Sequence, residues 1–348
     1  MEKKKVLIIL TTNTPEFFQT DPDICKAVKS LGGDVEISYF VDDFFDRYED
    51  SYAAVKRIET EGSEWVENDP ALLEAIRGKE VLIVQAAAIN REVIDAADSC
   101  RLIVYLRSGL EAVNVEHCKE KGILVKNCPG RHANSVADLT MGLIISENKG
   151  IQRYNLKATH GKFVEYDFEN DPGCKPLCMQ TAGLIGFGMI AQAVAGRLKA
   201  CGTTVYAYDP FAPQEVFDKL HVKRFNDMEK MLPKCDIVSI HVRLSDETEG
   251  MIGREQFALM KQSAIFINTA RAGLVREDEL IEALEQGRIR GAGVDVYAQE
   301  PVPEDHAFIT LPNVTATPHM GGIYYGVVQW TFSIAVNIVR EYFDGKSV

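Results

Sequence analysis

The residues of this 348-residue chain that could do chemistry lie in four short stretches of its second half. In "GLIGFGMIAQAVAGRLKACGTTVYAYDP" a strand-like run ending at Ile185 meets Gly186-x-Gly188-x-x-Ala191, then a helical stretch, a second strand and Asp209 at its end. Gly186 permits a tight turn, Gly188 lets the backbone approach a pyrophosphate, and Ala191 is small enough for close packing of helix on strand. The helix start then offers free N–H groups and the positive end of its dipole to phosphates. A carboxylate at Asp209 can accept hydrogen bonds from both hydroxyls of an adenosine ribose and repels a 2′-phosphate. This spacing predicts a dinucleotide site for NAD rather than NADP.

Nicotinamide chemistry moves a hydride, and a carbonyl or alcohol partner also needs a proton that the nicotinamide does not supply. Histidine suits that task, with an ordinary pKa of about 6.5. "TATPHMGG" supplies His319, "GVDVYAQEP" supplies Glu300 to hold the ring, and "INTARAGLV" supplies Arg271, which can grip a substrate carboxylate with two prongs. Arg271 and Glu300 each follow a predicted strand, and ligands of open α/β sheets bind at the carboxyl ends of strands. The other six histidines lack such company. His241 falls in a strand on the cofactor side, His306 in the acidic loop "PEDHAF", and His117, His132, His160 and His221 on expected surfaces.

The rest of the composition narrows the class. A chain of 348 residues exceeds what one hydrophobic core usually organises and predicts two domains. The 46% hydrophobic and 26% charged content is that of a globular protein, and the net charge of -13 disfavours nucleic acid or an anionic membrane as partner. "MEKKKVLIIL" has too short an apolar run for a signal peptide and reads as a first strand, and no run is long enough to span a membrane. Eight scattered cysteines favour a reducing, cytoplasmic setting. Cys174 and Cys178 have no further ligands nearby, so no metal site is expected.

Aliphatic runs alternate with amphipathic stretches almost throughout, the pattern of doubly wound parallel sheets. The predicted strands are "KVLIIL", "DVEISYF", "EVLIVQ", "CRLIVYL" and "GILVKN", then "TAGLIGF", "TTVYAYD", "HVKRF", "CDIVSIHV", "SAIFINTA" and "GAGVDVY". Between the two series, "ANSVADLTMGLIISENKGIQRYNLKATH" predicts one long connecting helix of about seven turns. The stretch "IYYGVVQWTFSIAVNIVREYFDG" predicts a final helix that returns to the first domain. Residues 41–69 break the alternation and are expected to form a solvated surface arm, the rival reading being a flap or subunit contact.

Taken together these motifs resemble the D-isomer-specific 2-hydroxyacid dehydrogenase family. The resemblance also runs through "DIVSIHVRLSDET", "MIGREQFALMKQSAIFINTARAGLVREDELIEAL", "GRIRGAGVDVYAQEP" and "RSGLEAVNVEHCKEKGILVKNCPGRHANSVADLTMGLI", covering roughly residues 80–345. It implies α/β architecture with a flavodoxin-like substrate domain, residues 1–127 plus 319–348, and a Rossmann NAD-binding domain, residues 128–318. It implies that Arg271 orients the substrate, that Glu300 pairs with His319, and that His319 is the proton donor. It further implies cofactor contacts at Gly186, Gly188, Met189, Ile190, Asp209, Thr269, Ala270, Asp295 and Gly321, with Asp295 on the nicotinamide amide. Backbone groups of Ser108, Gly109 and Leu110 are implied to hold the substrate carboxylate, and a homodimer is implied.

Several positions depart from the family's pattern. Glu111 stands where a glycine is usual, Val113 where an aspartate is frequent, and Arg243 where a proline is usual. "QAAAIN" lacks the arginine of phosphoglycerate dehydrogenases, which disfavours a phosphorylated substrate, with Arg91 as the nearby exception. The expected activity is interconversion of a small D-2-hydroxy acid, sugar-derived acids included, and its 2-keto acid. The alternative is an NAD(H)-sensing module of the co-repressor kind, which binds without turnover. Formate oxidation is a weaker third option, since formate has no alcohol proton to shuttle.

Overall fold

The computed structural model describes residues 3–11, 15–44, 46–48, 51–159, 171 and 173–346. The chain divides into two compact units, Met1–Arg131 with Tyr325–Val348, and His132–Tyr324. The second boundary falls after His319, whereas the sequence reading drew it just before.

The first unit is built on five parallel strands, β1 (Lys4–Leu10), β2 (Val35–Val41), β3 (Val81–Val84), β4 (Leu102–Tyr105) and β5 (Leu124–Asn127), in the order β2-β1-β3-β4-β5. This is the flavodoxin-like doubly wound order. Side chains alternate across a strand, so a sheet covered on both faces needs apolar residues at every position. Strand β1 meets that demand: Leu7 and Ile9 enter one core, Val6, Ile8 and Leu10 the other. The same split separates Leu82 and Val84 from Val81 and Ile83 on β3. Helix Val327–Phe343 buries Phe332, Ala335, Val336 and Val339 in the second of these cores.

Residues 41–69 are not a solvated arm. Phe44, Ala54, Ile58 and Val66 pack into the first core, and Trp65 stacks edge-on with Tyr48 under the Arg57 guanidinium. Asp42 is buried beside Arg47 at 2.7 Å and caps the Phe44 N–H. Its acidity is set by opposed effects, of which burial is the stronger and raises the pKa.

The second unit holds seven parallel strands: β6 (Thr181–Ile185), β7 (Thr204–Tyr208), β8 (Lys223–Phe225), β9 (Ile237–Ile240), β10 (Ile265–Asn268), β11 (Gly291–Val294) and β12 (Val314–Ala316). Their order is β12-β11-β10-β9-β6-β7-β8, so the winding reverses between β6 and β9. Ligands of such sheets bind at that reversal, beyond the carboxyl ends of the strands. Alternation again divides two cores, with Ile265 and Ile267 of β10 on one face and Phe266 on the other.

The expected long connecting helix is two helices, Ala133–Lys149 and Ile151–Thr159. Gly150 separates them in the left-handed conformation, φ 62° and ψ 33°, and its N–H closes the first helix on Glu147 and Ser146 carbonyls. Periodicity alone reads through such a break, because apolar spacing resumes at once while the helix axis need not. The first helix belongs to the second unit and packs on β10, β11 and β12. His160, at the end of the predicted helix, lies outside the described residues.

Candidate active site

All seven strands of the second unit run the same way, so the residues that follow them leave one edge of the sheet. Gly186 follows β6, Asp209 follows β7, His241 follows β9, Thr269 to Arg271 follow β10, Asp295 to Glu300 follow β11, and His319 follows β12. Strands β10, β11 and β12 are neighbours, spaced by about 4.8 Å per strand. Arg271, Glu300 and His319 therefore hang from three adjacent strand ends.

The dinucleotide loop fits its expected ligand. Gly186 has φ 85°, and a Cβ there would come within 2.9 Å of the His241 carbonyl, so only glycine turns the chain at this point. A Cβ added at Gly188 would project into open space, the room a pyrophosphate needs. Gly188 is also the N-cap of helix Met189–Ala200 and has no side chain to cap it, so the first-turn N–H groups are not taken by a capping side chain. Met189 is 54% exposed beside them, Ile190 is partly buried, and Ala191 is fully buried against the sheet. A G188V variant should fold as the parent does, because φ there is -75° and space is open, yet bind NADH at least about tenfold more weakly, roughly 1.4 kcal/mol. Fluorescence titration reads this directly, and unchanged affinity would remove Gly188 from the site.

Asp209 is less free than its spacing implies. Its Oδ1 accepts the N–H groups of Phe211 at 2.8 Å and Ala212 at 2.9 Å, and its Oδ2 accepts that of Phe187 at 2.8 Å. A carboxylate has about four acceptor sites. One is left for a ribose hydroxyl, so a grip on both hydroxyls requires a backbone bond to be shared or released.

The His319–Glu300 contact that the sequence implies is formed. His319 Nδ1 lies 3.0 and 2.9 Å from the two oxygens of Glu300, while Nε2 makes no hydrogen bond among the described residues. The imidazole is 43% exposed and the Glu300 side chain 20%. His319 has φ 52°, a conformation uncommon outside glycine and asparagine. What holds it there is Asp295, only 1% exposed. Asp295 Oδ1 accepts the Thr317 hydroxyl at 2.6 Å and the Met320 N–H at 2.9 Å, and Oδ2 accepts the Gly321 N–H at 2.9 Å. The carboxylate implied for the nicotinamide amide thus clasps the two residues after the imidazole, and one of its acceptor sites remains.

Gly321 is committed as well. Its N–H goes to Asp295 and its carbonyl accepts the Ser135 hydroxyl at 2.7 Å, which leaves chiefly van der Waals contact for a cofactor. Thr269, 7% exposed, turns its hydroxyl to Thr140 at 2.9 Å on helix Ala133–Lys149. Ala270 gives its N–H to Asn268 Oδ1, and the same amide donates to the Arg271 carbonyl at 3.0 Å. Asn268 therefore shapes the turn that presents Arg271. The Arg271 guanidinium is exposed, donates to the Ala270 carbonyl at 2.8 Å, and has no carboxylate partner among the described residues.

His241 was expected within a strand; it follows β9 directly. Its Nε2 meets Ser239 Oγ at 2.9 Å and its Nδ1 is shut from water without a partner. Burial pulls its pKa down to about 4. A histidine whose folded pKa lies below its ordinary value takes its proton first in the unfolded chain, so stability falls as pH drops from about 6.5 towards 4. The loss approaches about 3 kcal/mol at roughly 1.4 kcal/mol per pKa unit, an upper bound because the residue as a whole is only partly buried. Denaturant unfolding of an H241N variant should show a shallower acid limb; an identical limb would exclude this histidine as its source.

In the first unit, Ser108, Gly109 and Leu110 follow β4. The Asn127 amide donates to the Ser108 carbonyl, and the Glu111 carboxylate lies over Gly109, where a Cβ would overlap it. Val113 is 5% exposed and bridges to Ile89, a core position that suits valine. Arg91 turns its guanidinium to His117 Nδ1 at 2.8 Å and to Glu120. His117 itself is not on the surface as expected. Only 6% of its side chain is exposed, and it joins Asp95 at 2.9 Å and Glu120 at 2.8 Å, two acids that a periodicity reading does not bring together. Hydrogen bonds from Lys121 and His117 hold the Asp95 carboxyl down to about 2.

All eight cysteines are free, and no cluster of metal-ligating side chains occurs among the described residues. Within those residues no helix is long and apolar enough to cross a membrane.

Residues 141–321 match the NAD-binding domain of the D-isomer specific 2-hydroxyacid dehydrogenases. The chain is 40% identical over 251 residues to a D-3-phosphoglycerate dehydrogenase of Methanocaldococcus jannaschii, covering 72% of this chain and 47% of that protein. It is 37% identical over 262 residues to a hydroxypyruvate reductase of Thermotoga maritima, covering 74% and 83%. The chain thus spans about half the length of that phosphoglycerate dehydrogenase and most of that reductase. A D-isomer specific 2-hydroxyacid dehydrogenase from Lactobacillus delbrueckii ssp. bulgaricus, solved in its NAD-complexed form, shares the fold with a TM-score of 0.77 over 99% of both chains at 24% identity.

Proposed function

Since the chain belongs to the D-isomer specific 2-hydroxyacid dehydrogenase family, we propose that it interconverts a small D-2-hydroxy acid and its 2-keto acid with NAD. The observation that carries this is the His319 imidazole held by both oxygens of Glu300, two strands from an exposed Arg271 that lacks a carboxylate partner.

Bound NAD would accept or supply the hydride. The chain's own groups do the rest. Gly186, Gly188 and the start of helix Met189–Ala200 would hold the pyrophosphate, with Asp209 at the adenosine ribose. The Arg271 guanidinium grips the substrate carboxylate and turns the reacting carbon, a role for which a planar two-pronged cation suits better than lysine. Glu300 fixes the imidazole through Nδ1 and leaves Nε2 to give a proton to the substrate oxygen, or to take it back in the other direction. Ser108, Gly109 and Leu110 are assigned to the substrate carboxylate, and Met189, Ile190, Thr269, Ala270, Asp295 and Gly321 to the cofactor.

The relatives named above are dehydrogenases and a reductase, which does not favour the sensing module. A panel of 2-keto acids, hydroxypyruvate and glyoxylate included, assayed by loss of NADH absorbance, tests the proposal. Oxidation of NADH with at least one of them is expected. Tight NADH binding with no turnover across the panel would favour the sensing module instead. Light scattering tests the homodimer that the family resemblance implies.

A further inference from the structure

Behind the His319–Glu300 pair stands a second acid–imidazole pair that the reaction as described does not use. Glu277 opens helix Glu277–Glu285; its Oε2 accepts the Ala298 N–H at 3.0 Å and its Oε1 lies 3.2 Å from His306 Nε2. Both side chains are largely buried, 19% and 14% exposed. The ring's other nitrogen, Nδ1, accepts the Phe308 N–H at 3.2 Å, so it carries no proton, and Nε2 is the donor to Glu277. Neither nitrogen is left over for acid–base work.

What the pair touches leads to the reacting imidazole by two routes. Ala298 belongs to the short segment whose Tyr297 N–H donates to Glu300 Oε1 at 3.2 Å. The Tyr297 ring packs edge-on against His306, centroids 5.8 Å apart at 86°, and its hydroxyl donates to the Thr317 carbonyl at 2.9 Å. That carbonyl also accepts the His319 N–H at 3.0 Å. Burial pushes the Tyr297 hydroxyl up to about 12, so it remains a donor at any working pH.

We propose that Glu277 and His306 are positioning residues, which set the Glu300 carboxylate and the His319 backbone through Ala298 and Tyr297 without touching substrate or cofactor. The proposal rests on His319 as the proton donor. It makes a demand that a merely stabilising contact would not: the loss should fall on turnover and not on binding, and a side chain that restores the one N–H donor should restore turnover.

The experiment compares E277Q, H306L, H306Q and H319N with the parent, using NADH and whichever 2-keto acid of the panel is turned over fastest. In E277Q one acceptor oxygen becomes an amide NH2, a donor facing a donor. H306L removes the donor, whereas the H306Q amide can still reach Glu277. Expected are kcat values about tenfold lower in E277Q and H306L, with NADH affinity and substrate KM within about twofold of the parent, and near-parental kcat in H306Q. Parental kcat in both E277Q and H306L while H319N is crippled overturns the positioning role alone. A fall in NADH affinity that matches the fall in kcat also overturns it, since that marks general loosening of the unit. Parental turnover in H319N overturns the underlying reading, and the positioning role with it.

Discussion

An enzyme carrying asparagine in place of His319 is expected to bind NADH as the parent does and to reduce its 2-keto acid about 1,000-fold more slowly. Asparagine is chosen because position 319 sits at φ 52°, a region that asparagine enters more readily than alanine or any branched residue. Backbone strain then stays close to parental, and the change isolates the imidazole. Its Nε2 faces no protein acceptor among the described residues and its Nδ1 is braced by a carboxylate, so the change removes the imidazole and its contact with Glu300 and no other described side-chain contact. General acid–base catalysis contributes about 100-fold to 10,000-fold, which brackets the expected loss. Single-turnover rates with NADH, together with a binding titration, provide the measurement. Equal rates would end the assignment of His319.

The second large effect belongs to Asp295→Asn. The aspartate accepts three hydrogen bonds while almost fully buried, two of them from the backbone immediately after His319. An amide can accept at only one of its two heavy atoms, so at least one buried donor on Thr317, Met320 or Gly321 loses its partner. That costs about 1–3 kcal/mol in stability. The loop that keeps the imidazole in its left-handed conformation is released at the same time, and misplacement of a reacting group by about 1 Å can cost roughly 100-fold in rate. The variant should therefore unfold at lower denaturant and turn over about 100-fold more slowly even where it is fully folded. Loss of stability with parental turnover would show that the clasp does not govern the imidazole.

The fold was legible because both sheets are covered on both faces. Every predicted strand from "KVLIIL" to "GAGVDVY" overlaps one of the eleven strands β1–β11, and only β1 and β2 run one residue beyond the predicted stretch. The twelfth, Val314–Ala316, escaped as a strand because three residues at the sheet edge have no periodicity to read. It nevertheless delivers His319, which was found by its chemical type and its neighbours instead. Arg271, Glu300 and His319 were legible as residues that follow strands or flank glycines. The internal economy of the site was not. That Asp295 faces the His319 loop and that Thr269 turns its hydroxyl to Thr140 depend on side-chain directions between segments far apart in sequence. The acidic region 41–69 misled for a related reason: most of its described charges face out, Asp42 and Arg47 excepted, but Phe44, Ile58 and Val66 lie on the hidden side of an irregular path.

The uniform direction of β6 to β12 also divides the second unit into a chemical side and a quiet one. Cys201, an exposed thiol, sits just before β7, and a five-residue strand at about 3.3 Å per residue separates it by roughly 16 Å from the Asp209 end. A fluorophore attached there would ride on the same sheet as the residues that follow its strands yet report only on unfolding. Handles for immobilisation or labelling belong on that opposite rim.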